Sequence, residues 1–185
     1  MKKLTGVLVL MLIFGSNSVF SQKLVKTSSI QAGFFDLGYA REFPVSNKTV
    51  INVFGGMYGG FFYNSFEGAQ FDLVPVVSVE PRLYYNMAKR LSKNKKIDFN
   101  SVNYVALNCA YVFGMLSTNP YFLTESTFSV SPEWGFRRYL GKRFTFDLAI
   151  GPGFNKSLFE PLNVSVNVYI TFSYHLKTRV SEPTN

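Results

Sequence analysis

Apolar and polar side chains alternate along most of the chain after residue 22. The clearest case is the stretch NVSVNVYITFSYHL, residues 163–176, in which one parity runs from Val164 to Leu176 and holds only apolar or aromatic residues. The other parity, from Asn163 to His175, is mostly polar. Because successive side chains of a β-strand point to opposite faces, this period of two predicts a strand with one apolar face. The same pattern predicts further strands at 29–43, 49–58, 72–85, 104–113, 127–138 and 143–154.

The apolar faces are long and rich in rings. In the clearest case the apolar parity continues for seven positions, which suits strands of roughly 9 to 11 residues that cross a bilayer. Globular strands are usually about 5 or 6 residues long. The opposite parity mixes acids, bases, glycines and hydroxyls. A soluble β-sandwich hides its apolar face, whereas a small transmembrane barrel turns that face outward and keeps polar groups inside.

The strand count follows from the edges of the sheet. Short connections favour antiparallel pairing, but an open sheet would leave two unpaired edges, which lipid does not tolerate. Bacterial single-chain barrels use even strand numbers. We therefore expect an eighth strand near residues 23–30 or within the stretch 29–43. The predicted fold is all-β, an antiparallel up-and-down transmembrane β-barrel of about eight strands.

The first 21 residues have the pattern of a secretory signal peptide. Lys2 and Lys3 supply the positive start, and the apolar stretch 4–14 has the length of a signal's hydrophobic region. A membrane anchor helix would need roughly 20 apolar residues, and the polar residues 16–18 come too soon. The sequence therefore predicts a signal peptide at 1–21, a barrel at 22–176 and a polar tail at 177–185.

The composition is poor in charge but basic. Of the 185 residues, 47% are hydrophobic and 16% charged, and the formal net charge is +8. A basic balance can indicate nucleic-acid binding, but export removes DNA and RNA as natural partners. Much of the excess lies in KRLSKNKK at 89–96, which we interpret as a solvated loop; contact with anionic headgroups or with a partner is the alternative. The basic residues of this run are Lys89, Arg90, Lys93, Lys95 and Lys96.

Charged residues on the polar parity predict an ion-pair network inside the barrel. Buried charges are costly unless they are paired, and an interior of about eight strands is only just wide enough for its own side chains. A barrel plugged by its own side chains is therefore favoured over a narrow ion path. The predicted interior residues are Asp36, Glu42, Glu80, Arg82, Glu133, Arg137, Arg143 and Asp147.

Signals for catalysis or a cofactor are missing from the sequence. The single histidine, His175, has no acid next to it in sequence, and Cys109 is alone and forms no internal disulfide. There is no metal-ligand spacing, no phosphate loop and no serine nucleophile elbow. We expect a non-catalytic protein without a cofactor, with a structural or interaction role. A narrow pore or small-solute-binding barrel is the first alternative, and a soluble secreted barrel for a hydrophobic ligand is the second.

Several stretches together resemble a family of small outer-membrane β-barrel proteins from Bacteroidota-type bacteria. They are FDLGYAREFPVSNKTVINVFGG (35–56), EPRLYYNMAKRLSKNKK (80–96), SPEWGFRRYLGKRFTFDLAIGPGF (131–154) and VNVYITFSY (166–174). The resemblance implies location in the outer membrane, with outer-membrane lipid and the insertion machinery as partners, and it implies no particular activity. One departure concerns the last strand, which ends at Leu176 and a polar tail where such barrels usually end on an aromatic residue.

The resemblance also implies an orientation in the membrane. The tight connections at 45–48 and 141–143 are typical of periplasmic turns, and the basic connection 86–100 falls on the same side. The connections at 64–70, 117–126 and 155–163 would then face outside.

Overall fold

The structure is a computed structural model that describes residues 24–64, 68–116, 125–157 and 160–176. The predicted signal peptide at 1–21 and the predicted tail at 177–185 lie outside the described residues. Among the described residues, no helix is both long enough and apolar enough to cross a membrane.

Within these ranges, eight antiparallel strands form one sheet that closes into a barrel. Each strand pairs with the next in sequence, and the last pairs with the first through contacts such as Ile30 opposite Tyr174. The prediction of an all-β, up-and-down barrel of about eight strands is therefore confirmed. The strands are β1 (Thr27–Gly33), β2 (Asp36–Pro44), β3 (Thr49–Asn64), β4 (Gly68–Tyr84), β5 (Asn103–Val112), β6 (Thr127–Gly141), β7 (Phe144–Ser157) and β8 (Asn163–His175).

The eighth strand lies where the sequence allowed it. The predicted stretch 29–43 is two strands, β1 and β2, separated by the adjacent residues Phe34 and Phe35. The alternation changes phase at this turn, because the exposed apolar residues are even-numbered in β1, as at Ile30, and odd-numbered in β2, as at Leu37. A single strand would have kept one phase throughout.

The barrel is apolar outside and polar inside. On β8 the side chain of Val166 is 74% exposed, whereas Ser173 and His175 on the opposite parity are buried. The same division holds on β4, where Val79 is exposed and Glu80 is buried. This polarity is the reverse of that in a soluble sheet protein with one face toward water.

Three prolines on the outward parity interrupt the ladder between strands. The pairing of β4 with β5 passes from Val79 to Arg82 around Pro81. The pairing of β6 with β7 likewise omits Pro132 and Pro152. Proline has no N–H to donate, and beside this gap the Ser131 hydroxyl donates a hydrogen bond to the Pro152 carbonyl (2.9 Å).

The two ends of the barrel differ in their connections. One end, here called the terminal end, carries the start of β1, the end of β8, the turns at 45–48 and 142–143, and the β4–β5 connection. That connection contains a short helix, α1 (Met87–Leu91), and a 3-10 turn (Asp98–Asn100). The opposite end carries the remaining connections, of which residues 65–67, 117–124 and 158–159 lie outside the described residues. The strand order therefore places the connections 45–48, 86–100 and 141–143 at one end of the barrel, as predicted.

Candidate functional site

A cluster of five charged side chains fills the barrel interior toward the terminal end. At its centre lies Arg137 of β6, which is almost completely buried. Its Nη1 lies 2.9 Å from Oε1 of Glu42 on β2, and its Nε lies 2.8 Å from Oδ2 of Asp147 on β7. These are the short distances of charge-assisted hydrogen bonds. We call the five residues the ion-pair cluster: Glu42, Glu80, Arg82, Arg137 and Asp147.

Arg82 of β4 joins the same carboxylates from another wall. Its Nη2 lies 2.7 Å from Oε2 of Glu80, and its Nη1 lies 3.3 Å from Oε1 of Glu42 and 3.6 Å from Oδ1 of Asp147. The guanidinium plane also lies over the ring of Tyr104, 4.6 Å from its centre. Each guanidinium therefore meets more than one carboxylate, which is the arrangement that a buried charge requires.

Neutral donors complete the shell around Glu42. Oε2 accepts hydrogen bonds from the Thr27 hydroxyl (3.1 Å) and the Asn100 amide (2.8 Å). Oε1 accepts one from the Tyr84 hydroxyl (3.2 Å), in addition to those from the two arginines. A carboxylate this well supplied with donors is stable in a buried, ionised form.

The β4–β5 connection closes the terminal end of the interior. The ring of Phe99 stacks on His175 with centres 4.3 Å apart, and the Phe99 carbonyl accepts a hydrogen bond from Arg137 (3.2 Å). The Asn100 side chain accepts from the backbone N–H of Val25 and donates to its carbonyl. His175 contacts the hydroxyl of Thr145 through Nε2 (2.9 Å).

Phe99 and Asn100 both adopt left-handed backbone conformations, with φ of 52° and 60°. This region is unfavourable for a bulky residue such as Phe. The surrounding contacts must therefore compensate for the backbone, and they are the contacts that close the barrel.

Beyond the ion-pair cluster, toward the opposite end, lies an interior cavity with about 50 Å³ of room for water. Four carboxylates reach its wall but only one guanidinium, that of Arg82. Glu133 of β6 accepts a hydrogen bond from the Asn108 amide. The acidic residues of the wall are Asp36, Glu80, Glu133 and Asp147.

The structure brings together five of the eight predicted interior residues. Asp36 and Glu133 also face the interior, but no ion pair joins either of them to an arginine within the described part of the chain. The prediction for Arg143 is wrong, because this residue is exposed in the two-residue turn before β7. The neighbouring Lys142 has a φ of 49°, so the strand alternation does not extend into the turn.

The basic run 89–96 lies at the terminal end, on α1 and the chain that follows it. Its four lysines are exposed. Arg90 is half-buried and donates a hydrogen bond to the Lys96 carbonyl (3.0 Å), while the Lys96 ammonium lies 5.4 Å from the centre of the Tyr139 ring. The run is thus partly held against the barrel rim.

Sequence reasoning missed the neutral members of the interior. Tyr84, Tyr104, Asn52 and Asn108 lie on the inward parity, so the alternation would have found them if uncharged polar residues had been included. Asn100 had no such signal, because it belongs to a connection and not to a strand.

No group of three or more His, Cys, Asp and Glu side chains within the described ranges could hold a metal ion. Comparisons of the chain with protein-family models, with curated proteins and with solved structures find no match.

Proposed function

We propose that this protein is a non-catalytic outer-membrane β-barrel with a closed interior and a structural or interaction role. The observation that carries the proposal is the polarity of the closed sheet. Apolar side chains such as Val166 and Phe172 point outward, while the ion-pair cluster lies inside. Water would not stabilise such an exterior, whereas the hydrocarbon core of a bilayer would.

The filled interior supports a closed barrel over a pore. The ion-pair cluster spans the interior from β2 to β7, and Phe99 and Asn100 cover its terminal side. An eight-stranded barrel leaves little room beyond its own side chains. Contacts with other molecules would therefore be made at the rims and connections.

The partners of the proposal follow from the location. Outer-membrane lipid would cover the apolar exterior, and the insertion machinery would assemble the barrel after export under the predicted signal peptide. The exposed lysines of the run 89–96 would face the periplasm and offer a basic contact to headgroups or to a periplasmic partner.

Cell fractionation combined with an unboiled gel tests the location. We expect the mature chain in the outer-membrane fraction, and we expect its migration to change on boiling because a folded barrel resists unfolding by detergent. Recovery of a soluble chain from the periplasm without detergent would contradict the proposal and favour the secreted barrel with a hydrophobic ligand.

Conductance across a planar bilayer tests the closed interior. The purified, folded barrel should give no discrete conductance steps above those of the protein-free bilayer. Reproducible single-channel steps would show that the interior is a pore and would replace the closed barrel with the narrow ion path.

A further inference from the structure

The cavity above the ion-pair cluster has acceptor oxygens that the protein does not satisfy. Within the described residues, Oε1 of Glu80, Oε1 of Glu133, Oδ1 of Asn52 and Oδ1 of Asn108 are buried without a hydrogen-bond partner. All four residues line the cavity, and each is at least nine-tenths buried. Buried polar atoms in folded proteins are rarely left without a partner.

The other polar atoms of these side chains are already engaged. The Asn52 amide donates to Oε2 of Glu80 (3.2 Å), which also accepts from Arg82. The Asn108 amide donates to Glu133. These bonds orient both amides so that carbonyl oxygens, and not N–H groups, remain toward the cavity.

Strand register places these oxygens close together, and the cavity wall carries an excess of negative charge. Asn52 lies directly opposite Glu80 across β3 and β4, and Asn108 lies opposite Ser131 across β5 and β6. Of the four carboxylates that line the cavity, Glu80 and Asp147 are bonded to arginines of the ion-pair cluster, whereas Asp36 and Glu133 have no ion pair within the described residues. A region of excess negative charge at low dielectric attracts a cation strongly.

We propose that this cavity binds a monovalent alkali cation through oxygens of Glu80, Glu133, Asn52 and Asn108. Carboxylate and amide oxygens are the ligands of hard cations. Only two carboxylates take part, and that of Glu80 is already paired with Arg82. The site therefore suits a monovalent cation better than a divalent one. The cavity has room for a small ion and water that completes its coordination.

A second cavity lies beside the first, toward the opposite end of the barrel. It has a volume of about 190 Å³ and lies at the β1–β2 turn, where Phe34 and Phe35 form part of its wall. Asp36, Tyr58 and Tyr169 line both cavities, so the two cavities adjoin at these side chains.

The test is denaturant unfolding of the purified, folded protein in detergent while sodium chloride replaces N-methylglucamine chloride at constant ionic strength. Sodium should raise the unfolding midpoint in a saturable way, because an ion bound only by the folded state stabilises it. Glu133→Gln should raise the sodium concentration for half-maximal stabilisation by about tenfold or more. The matched control Glu160→Gln alters an exposed carboxylate and should behave like the unsubstituted protein.

A second variant should change the sodium dependence in the direction opposite to Glu133→Gln. Asn52→Asp adds negative charge at the cavity and should make the unfolding midpoint depend more strongly on sodium. An unfolding midpoint that is the same in both salts overturns the cation site. It is also overturned if Glu133→Gln and Asn52→Asp change the sodium response in the same direction. Stabilisation by calcium chloride alone, or a response to pH without one to sodium, would also overturn it in favour of a divalent ion or a shared proton.

The cation site depends on the closed interior and not on the membrane location. If the chain fractionates with the outer membrane but its unfolding midpoint does not respond to sodium, only the cation site is contradicted. If the chain is soluble but shows the predicted sodium response, only the membrane proposal is contradicted.

Discussion

Arg137 of β6 connects two other strands and one connection of the barrel. Its guanidinium bonds to Glu42 on β2, to Asp147 on β7 and to the Phe99 carbonyl in the β4–β5 connection. The planar guanidinium presents several N–H groups in fixed directions, so one side chain can serve these acceptors together, which a lysine ammonium would do less well.

Replacing Arg137 tests this role at the scale of one side chain. Arg137→Met should lower the free energy of unfolding by ~3–5 kcal/mol, because it leaves Glu42 and Asp147 buried with less compensating charge. Denaturant unfolding in detergent micelles, followed by Trp134 fluorescence, measures the loss.

The matched control uses an arginine outside the cluster. Arg143→Met removes the same charge from an exposed turn, and its effect should stay within about 0.5 kcal/mol. Equal effects of the two substitutions would mean that the ion-pair cluster does not stabilise the barrel.

Among the elements, the β4–β5 connection departs from plain strand geometry through its short helix and its 3-10 turn. It returns residues 97–102 to the barrel end, where Val102 packs with Tyr84 and Tyr104 in an apolar cluster. Asn100 links this connection to β2 through Glu42 and to the chain before β1 through Val25. The connection therefore acts as a structural part of the barrel and not merely as a loop.

Two asparagines with similar backbone allow the connection to be tested. Asn94 and Asn100 have φ of 52° and 60°, but Asn94 is exposed while Asn100 is buried. Either alanine substitution meets a left-handed backbone penalty of about 1–2 kcal/mol. Asn100→Ala should lose about 1–3 kcal/mol more, because it also leaves buried hydrogen-bonding groups unsatisfied.

Unfolding in denaturant provides the comparison. Asn100→Gly, which removes the backbone penalty, should remain well below the unsubstituted protein, whereas Asn94→Gly should match it or exceed it. If Asn100→Gly were as stable as the unsubstituted protein, the side-chain bonds to Glu42 and Val25 would contribute nothing.

The eight strands together form a closed sheet with its apolar face outward. Closure between β1 and β8 leaves no sheet edge among the paired residues 29–33 and 171–175, which matters most where no water can satisfy the backbone. Whether that outward face contacts lipid can be tested by introducing one charged residue on it.

Val168 and Val45 are matched for this purpose, because each side chain is 56% exposed. Val168 lies on the outward face of β8, and Val45 lies in the β2–β3 turn at the terminal end. With the barrel in lipid vesicles, Val168→Lys should lower the free energy of unfolding by ~2–4 kcal/mol if it lies near the middle of the bilayer. Val45→Lys should change it by less than about 1 kcal/mol.

The comparison is made by denaturant unfolding from the vesicles. Equally small effects at both positions would show that the outward face of β8 meets water. That result would contradict the membrane proposal even if the barrel fold were intact.

Local alternation was enough to predict most of the strands and the inward charges of the ion-pair cluster. Side-chain direction in a strand depends only on neighbours in sequence, so Glu80 and Arg82 could be assigned to the inner face without a structure. The same rule failed at Arg143, because a turn with positive φ at Lys142 ends the alternation one residue earlier. It also missed the break between β1 and β2, where the phase changes.

The sequence by its own pattern therefore determines which residues form strands and which face is apolar, since both are local properties. Only the tertiary structure decides which charges meet. Arg137 and Glu42 are 95 positions apart and come together because strand register and barrel closure place them at the same depth. The insertion of Phe99 and Asn100, and the cavity oxygens of Asn52 and Asn108, likewise arise from contacts between distant segments, which no local period encodes.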